Sequence, residues 1–326
     1  MSEKASLEGL PPGAGGDGRM GMFVENVLDR HMGVGAGNRV AIVHDSSKEQ
    51  LAQVLASGAL HRGVVTRLLP ISDFEQGLPT EVTSVLRDSS TGLAVLSSPR
   101  LWDEAGLKRF LGFRDGDPTL LVACEPVWFD QVTPADSLLR LWGHDLTSDE
   151  EYGTELLATL AANAPLRLTS PGGTDLTFVS RHWRVDHWRE VHTSPVEESI
   201  NGKIVADLGV YFGRVSCPIQ LDIEKGRITR ISCGDEDDPV FQQYRDWMRR
   251  DLAASPANYQ LAEIAFGING GAEVVGCIME DETVRDTCHC CFGDNSRYGG
   301  QSVSQWHGGT VLFQSPSCQL PCGGTS

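Results

Sequence analysis

The sequence predicts a two-domain α/β protein, with an open, mostly parallel sheet and helices in the N-terminal domain and a mixed α/β C-terminal domain. Its 326 residues exceed the usual size of a single domain. Hydrophobic residues make up 40% of the chain, which is enough for a buried core. Strand and helix signals alternate in the first half, and hairpin signals dominate the second. The predicted bounds are a disordered tail over 1–20, an N-terminal domain over 21–164 and a C-terminal domain over 165–326.

Strand and helix signals alternate through the N-terminal half, which indicates parallel strands joined by crossovers. A helix is predicted where Phe23, Val27 and Leu28 recur at helical spacing, and Gly33 ends it. Further predicted helices cover 48–57 and 80–87. Short apolar segments predict strands over 39–43, 63–69, 92–96 and 119–124. None of these strands leads into a glycine-rich phosphate-binding motif, so a nucleotide-binding role is not indicated.

Hairpin signals dominate after a helical stretch over 150–162. Two apolar segments flank Ser170-Pro171-Gly172-Gly173, which predicts a hairpin over 165–179. A second turn is predicted at Lys225-Gly226. The remaining predictions are strands over 202–208, 218–224 and 226–233, helices over 239–252 and 260–267, and a glycine-rich loop leading into a strand over 299–313.

The charge balance and the distribution of apolar residues exclude several classes of partner. The formal net charge is −17 and no basic patch interrupts it, so we expect no binding to nucleic acid. No apolar run approaches the roughly 18 residues that a membrane-spanning helix requires, so we expect no membrane partner. The N-terminal segment carries acidic residues and glycine where a signal peptide has a basic start and an apolar run. We therefore expect a cytoplasmic protein.

Nine cysteines are the unusual feature of the composition. An odd number without a signal peptide favours reduced thiols over a disulfide framework. The densest group is Cys288-His289-Cys290-Cys291, and the spacing of Cys288 and Cys291 leaves a structural zinc site open as an alternative. If His289 lies on a strand, Cys288 and Cys290 point to the opposite face. These two thiols are then neighbours of a ligand rather than ligands.

Two imidazoles and two carboxylates in the second half are candidate metal ligands. They are Glu190, Glu263, His289 and His307. Such a set can hold one or two divalent ions, which polarise a carbonyl group or activate water. Spacing alone does not bring these four residues together.

Five segments in a fixed order carry a resemblance to a known superfamily. The chain resembles the thermophilic-type metallo-aminopeptidases (aminopeptidase T or leucyl aminopeptidase-like), including the related 2,5-dihydroxypyridine 5,6-dioxygenase branch. The segments are Gly173-Thr-Asp-Leu-Thr-Phe178, Glu190-Val-His-Thr-Ser-Pro195 with Glu198-Ser-Ile-Asn-Gly202, Leu261-Ala-Glu-Ile-Ala-Phe-Gly-Ile-Asn269, Thr287-Cys-His-Cys-Cys-Phe-Gly-Asp294 and the Gly299-Gly300 stretch that leads to His307. The resemblance also implies a homodimer and makes the C-terminal domain the metal-binding catalytic domain.

The resemblance implies a two-metal site that Glu190, Glu263 on a helix, His289 and His307 would hold. The fifth ligand of the family is an Asp, and Gly309 replaces it here. The leading hypothesis is a hydrolase that cleaves an amide or peptide-like bond of a small substrate with a metal-activated water. Zinc, cobalt or manganese would be the metal, and Glu190 would be a ligand or the base.

Two other functions stay open. Glu263, His289 and His307 could instead hold Fe(II) on a two-His, one-carboxylate face, in an oxygenase that acts on a small aromatic or amino-acid-derived substrate. A catalytically silent protein on the same scaffold is the third hypothesis, because the loss of Asp at position 309 removes a ligand.

Four further residues near these positions have alternative interpretations. Tyr298 is a candidate catalytic residue that stabilises an oxyanion, or it is a packing residue. His192 shares a face with Glu190 if the segment is a strand, which makes it a candidate substitute ligand. Asp281 and Glu282 are interpreted as a solvated turn.

Overall fold

The structure is a computed structural model that describes residues 18–31, 33–44, 49–70, 91–95, 135–185 and 189–319. The chain divides into two compact units, Met1–Leu146 and Thr147–Ser326. This division falls between Leu146 and Thr147, whereas the sequence analysis placed the domain boundary between residues 164 and 165. The predicted domain bounds stay a prediction. The mixed α/β fold class is confirmed.

The N-terminal unit contains a three-stranded parallel sheet and helices. The central strand β1 (Arg39–His44) pairs with β2 (Val65–Pro70) on one side and β3 (Thr91–Val95) on the other. The helices are α1 (Arg19–Glu25), which continues as a π-helix (Asn26–His31), α2 (Glu49–His61) and α3 (Ala135–Trp142). The predicted helix over 80–87, the predicted strand over 119–124 and most of the predicted tail lie outside the described residues.

The apolar residues of these helices form the core of the N-terminal unit. Phe23, Val27 and Leu28 are almost fully buried, as their helical spacing predicts. Leu51 and Leu55 of α2 are buried at the same four-residue spacing. The predictions of a helix near residue 23, a parallel sheet and a helix after β1 are confirmed.

One sheet of the C-terminal unit has six antiparallel strands in the order β12-β11-β8-β5-β4-β16. The predicted hairpin is present as β4 (Pro165–Thr169) and β5 (Asp175–Val179), and the alternating burial of both strands shows that one face packs on the core. Lys225 and Gly226 both have positive φ, of 49° and 79°, as expected for the tight turn between β11 and β12. The other strands are β8 (Asn201–Ala206), β11 (Ile219–Glu224), β12 (Arg227–Cys233) and β16 (Ser317–Gln319).

The second sheet of this unit has seven antiparallel strands in the order β10-β9-β15-β14-β13-β7-β6. Its two central strands, β13 (Leu261–Gly267) and β14 (Thr287–Gly293), are buried at every residue. The remaining strands are β6 (Arg184–Val185), β7 (Glu190–Thr193), β9 (Gly209–Val210), β10 (Gly213–Arg214) and β15 (His307–Gln314). A strand buried on both faces loses the alternation of apolar and polar residues, which makes it hard to recognise from sequence.

Strand β13 corrects the sequence analysis, which predicted a helix over 260–267 and placed Glu263 on it. The short apolar run is compatible with a buried strand or a buried helix, and its Leu and Ala favour a helix. Pairing with β7 and β14 on both sides outweighs that propensity, because it satisfies the backbone of a fully buried segment. Glu263 therefore projects from a central strand.

The described part of the C-terminal unit also contains three α-helices: α4 (Thr147–Thr159), α5 (Pro239–Ala254) and the single turn α6 (Ile278–Asp281). Asp238 caps α5, because its side chain accepts a hydrogen bond of 2.8 Å from the amide of Phe241. The predicted helices over 239–252 and 150–162 are confirmed. Among the described residues, no helix has the length and apolar content that crossing a bilayer requires. The cytoplasmic location, the homodimer and the lack of a nucleic-acid partner stay predictions.

Candidate metal centre

One face of the seven-stranded sheet carries the candidate ligands. Ala265 in β13 lies opposite His192 of β7 on one side and His289 of β14 on the other. Directly opposed residues share a face, and so do residues two apart on a strand. This face therefore also carries Glu190 and Glu263. Two pairings among three strands thus bring together residues that are far apart in the sequence.

Glu263 lies between two imidazoles. Its Oε1 is 2.8 Å from Nδ1 of His192, and its Oε2 is 3.0 Å from Nε2 of His307. The side chain is buried. Burial alone would raise the pKa of this carboxyl group, but the hydrogen bonds and charges of His192 and His307 hold the pKa well below its usual value. Glu263 is thus a charged carboxylate inside the protein.

Two of the imidazoles are oriented by backbone carbonyl groups. Nδ1 of His289 is 3.2 Å from the carbonyl oxygen of Glu282, and Nδ1 of His307 is 2.7 Å from that of Asp294. A carbonyl oxygen only accepts, so each Nδ1 is the donor, and Nε2 of each neutral ring keeps a lone pair. This arrangement is typical of histidines that bind metals through Nε2.

The contact between His307 and Glu263 requires a positive charge. With Nδ1 of His307 donating to a carbonyl, the Nε2 lone pair of a neutral ring would face a carboxylate oxygen at 3.0 Å. A second proton on the ring or a cation beside it removes this repulsion. The contact itself does not distinguish a proton from a metal ion, but imidazole nitrogens and a carboxylate are residue types that bind divalent metals.

His289 is the most deeply buried of these histidines, with 2% of its surface exposed. Burial lowers the pKa of His289 to about 4, although the charge of Glu263 opposes the shift. The ring is therefore neutral near pH 7 and available as a ligand. Its Nε2 lies 3.9 Å from Oε2 of the buried Glu190, which is too long for a hydrogen bond.

Two groups of side chains have their potential ligand atoms within 4.8 Å of one another, and both include His289. One group adds Glu263 and Cys291, and the other adds Glu190 and Glu282. The sequence analysis considered Cys291 only with Cys288 in an alternative zinc site, although its position two residues after His289 on a strand places it on the face of His289. No sequence pattern indicated Glu282, which is brought in by the segment before β14.

The interpretation of Asp281 and Glu282 as a solvated turn is wrong. Asp281 is 2% exposed, and its carboxylate accepts hydrogen bonds from the amides of Val275 and Gly276. Glu282 is half-buried, and its Oε1 accepts a hydrogen bond of 2.9 Å from the hydroxyl of Thr310. Asp281 is therefore bonded within its own connecting segment, and Glu282 lies beside His289 and Glu190 of the site.

Tyr298 lies over two of the imidazoles. Its ring centroid is 5.2 Å from that of His192 and 5.9 Å from that of His307, and both pairs meet edge to face. Burial raises the pKa of Tyr298 far above its usual value, and the charge of Glu263 adds to the shift. The phenol is therefore neutral and can donate a hydrogen bond to a group in the site.

The loop that carries Tyr298 is held by a network of polar side chains. Asn295 is fully buried and donates to Oε1 of Glu197, which also accepts from the amide of Gln301. Arg181 forms an ion pair of 2.7 Å with the other carboxylate oxygen of Glu197. Since this network fixes the loop between β14 and β15, it also fixes Tyr298 at the start of the loop and His307 at its end.

Gly309 occupies the position where the resemblance expects an Asp. Its φ is +73°, and a Cβ atom there would lie 2.9 Å from Sδ of Met248 and 3.1 Å from the ring of Trp306. The carbonyl oxygen of Gly309 accepts a hydrogen bond of 2.9 Å from the hydroxyl of Tyr244. Met248 of α5 and Trp306 therefore occupy the space into which the missing carboxylate would extend.

The residues that the sequence analysis proposed as a site lie together: Glu190, Glu263, His289, His307 and Tyr298. Their roles as ligands or catalytic groups stay predictions. His192 joins them through its hydrogen bond to Glu263. An open groove with a volume of about 420 Å³ lies elsewhere in this unit, between α4 and the ends of β13 and β14, and contains none of these residues.

The fold of this chain is shared by proteins of known structure. Curated protein sequences give no match. The structure is similar to 2,5-dihydroxypyridine dioxygenase from Pseudomonas putida KT2440, with a TM-score of 0.61, 18% identity and coverage of 93% of both chains. It is also similar to wild-type AmpT from Thermus thermophilus, with a TM-score of 0.58, 16% identity and coverage of 92% of this chain and 94% of that one. The sequence profile of NicX, 2,5-dihydroxypyridine 5,6-dioxygenase, matches residues 131–294, which is half of the chain. The chain therefore belongs to the 2,5-dihydroxypyridine 5,6-dioxygenase family.

Proposed function

We propose that this protein is a non-haem iron dioxygenase that opens a small, hydroxylated aromatic ring. One observation carries the proposal: backbone carbonyls hold the Nδ1 atoms of His289 and His307, and their Nε2 atoms lie 3.9 Å from Glu190 and 3.0 Å from the buried carboxylate of Glu263. Two imidazoles and one carboxylate with open positions are the donor set of Fe(II) oxygenases. Membership of a dioxygenase family supports the same reaction class.

Glu263, His289 and His307 would hold the ion. Ferrous iron on such a face would supply the redox chemistry of ring cleavage and leave positions open for the substrate and dioxygen. The protein would hold the geometry through the two carbonyl contacts, which fix the ring orientation of both histidines. His192 would orient the remaining oxygen of Glu263 by its 2.8 Å hydrogen bond.

Glu190 and Tyr298 would act on the substrate. Glu190 is a buried carboxyl group beside His289, so it is placed to accept a proton from a hydroxyl group of the ring. Tyr298 stays neutral and would donate a hydrogen bond to an oxygen of the substrate as negative charge develops there. A dihydroxylated nitrogen heterocycle, such as the one in the family name, offers both groups.

The experiment is metal analysis and oxygen uptake on protein that is purified anaerobically and loaded with ferrous iron. With 2,5-dihydroxypyridine as the probe, we expect about one iron per chain and oxygen consumption matched to loss of the ring absorbance. His289→Ala and His307→Ala should lose both iron and activity. His61→Ala, which changes an exposed histidine in α2, is the matched control and should retain both. The site assignment is wrong if His289→Ala and Glu263→Ala keep full iron content and activity.

A metal-dependent hydrolase of the aminopeptidase type is the second candidate. The specific observation in its favour is that the carboxylates of Glu190 and Glu282 lie within 4.8 Å of the ligand atom of His289 and could hold a second ion beside the one that His289 binds. About two zinc, cobalt or manganese ions per chain, with cleavage of an amide bond and no oxygen uptake, would favour this candidate.

A further inference from the structure

Cys291 lies on the same sheet face as the proposed ligands. It follows His289 by two residues on β14 and is directly opposite Glu263 in the register of β13 and β14. The ligand atoms of Glu263, His289 and Cys291 are within 4.8 Å of one another. The thiol is buried, with 4% of the residue exposed, so bulk solvent does not compete for it.

The strand is irregular at Cys291. Its pairing with β15 shifts register between Cys290 and Phe292. A bulge of this kind redirects a side chain and is frequent beside active sites. Two interactions fix the direction of the sulfur: Sγ is 3.2 Å from the hydroxyl of Thr310, and that hydroxyl donates to Glu282. Because the Thr310 proton is used in that bond, its oxygen accepts from the thiol.

We infer that Cys291 is a further ligand, as a thiolate, of the metal ion that Glu263, His289 and His307 are proposed to hold, in a chain where Gly309 offers no carboxylate. This inference rests on the metal site proposed above. Thiolate, imidazole and carboxylate all bind zinc, cobalt and ferrous iron. When the ion binds, the S–H bond breaks, a sulfur–metal bond forms and the proton passes to the buffer.

The neighbouring cysteines provide matched controls. Cys288 and Cys290 are also buried, but strand alternation places both on the opposite face from His289. Cys290→Ser therefore replaces a sulfur atom with oxygen on the same strand, as Cys291→Ser does, and leaves the proposed ligands unchanged. Cys291→Ser and Cys291→Ala remove the thiolate with small changes in volume, and comparing the two separates loss of the ligand from the effect of a new hydroxyl group.

The test is titration of the metal-free protein with cobalt(II) under anaerobic conditions, followed by absorption spectroscopy. Thiolate bound to cobalt gives an intense near-ultraviolet charge-transfer band, whereas nitrogen and oxygen ligands give only the weaker visible d–d bands. We expect both features in the wild type and in Cys290→Ser. Both Cys291 variants should lose the charge-transfer band, keep the d–d bands and bind cobalt at least about tenfold more weakly.

The outcomes separate this inference from the proposed function. A wild type that binds cobalt with d–d bands and no charge-transfer band overturns the thiolate ligand and leaves the metal site in place. Persistence of the band in both Cys291 variants, or its loss in Cys290→Ser, also overturns the assignment. A wild type that binds no cobalt overturns the metal site itself. Far-ultraviolet circular dichroism of each variant confirms that the compared chains are folded.

Discussion

Replacing Gly309 with alanine should destabilise the protein, because two separate costs meet at this residue. Its φ of +73° is left-handed, and an L-residue there costs about 1–2 kcal/mol. The new Cβ would also lie 2.9 Å from Sδ and 3.0 Å from Cε of Met248, and 3.1 Å from the Trp306 ring. Overpacking of this kind costs about 1–3 kcal/mol, and the flexible thioether keeps it near the lower limit. We expect a loss of about 2–4 kcal/mol in unfolding free energy.

Urea unfolding measures this loss, and two further variants test its cause. Gly308→Ala is the control, since its nearest contacts begin at 3.4 Å and its φ is not in the left-handed range. It should be close to neutral. In a Met248→Ala background the clash with sulfur is absent, so Gly309→Ala should cost only about 1–2 kcal/mol, the backbone part. The reasoning is refuted if Gly309→Ala unfolds within about 0.5 kcal/mol of the wild type, or if Met248→Ala leaves its cost unchanged.

Two further predictions concern the helices of the C-terminal unit. Asp238→Ala removes the acceptor for the Phe241 amide at the start of α5, so the unfolding free energy measured in urea should fall by about 1 kcal/mol. Asp237 is exposed, and Asp237→Ala is the control that should be near neutral. Tyr152 of α4 donates to Asp286, and burial with this bond raises the pKa of Tyr152 from 10.0 to about 12. Because folding raises this pKa, the protonated Tyr152 contributes fully to stability below pH 10. This contribution is lost as the pH rises toward about 12, since the unfolded chain releases the proton first. Tyr152→Phe should therefore show a weaker decline in stability across this range, and an unchanged decline would contradict the assignment.

Local signals in the sequence predicted the elements whose conformation depends on local residues. The turn at Lys225-Gly226 and the hairpin over 165–179 follow from residue types that tolerate tight turns and from alternation on one buried face. The helix near Phe23 follows from its periodicity. These features need little information from the rest of the chain.

The central strands depend on the rest of the chain and were harder to predict. The residues of Leu261–Gly267 favour a helix by themselves. Pairing with β7 and β14 makes the segment a strand. The approach of Glu190 to His289 follows from the same pairing. Only the resemblance to a family connected these residues in the sequence. Glu282 was missed because a half-buried acidic side chain in a connecting segment has no sequence signature.

The alternation along β14 has a consequence for folding. His289 and Cys291 face the proposed site, and Cys288 and Cys290 face the opposite side, so a slip of one residue in pairing would exchange the two sets. The slipped strand would present two thiols to the site, and a thiophilic ion such as zinc would stabilise it. Excess zinc during refolding would therefore select a wrong register, whereas zinc added after folding would meet only the native one.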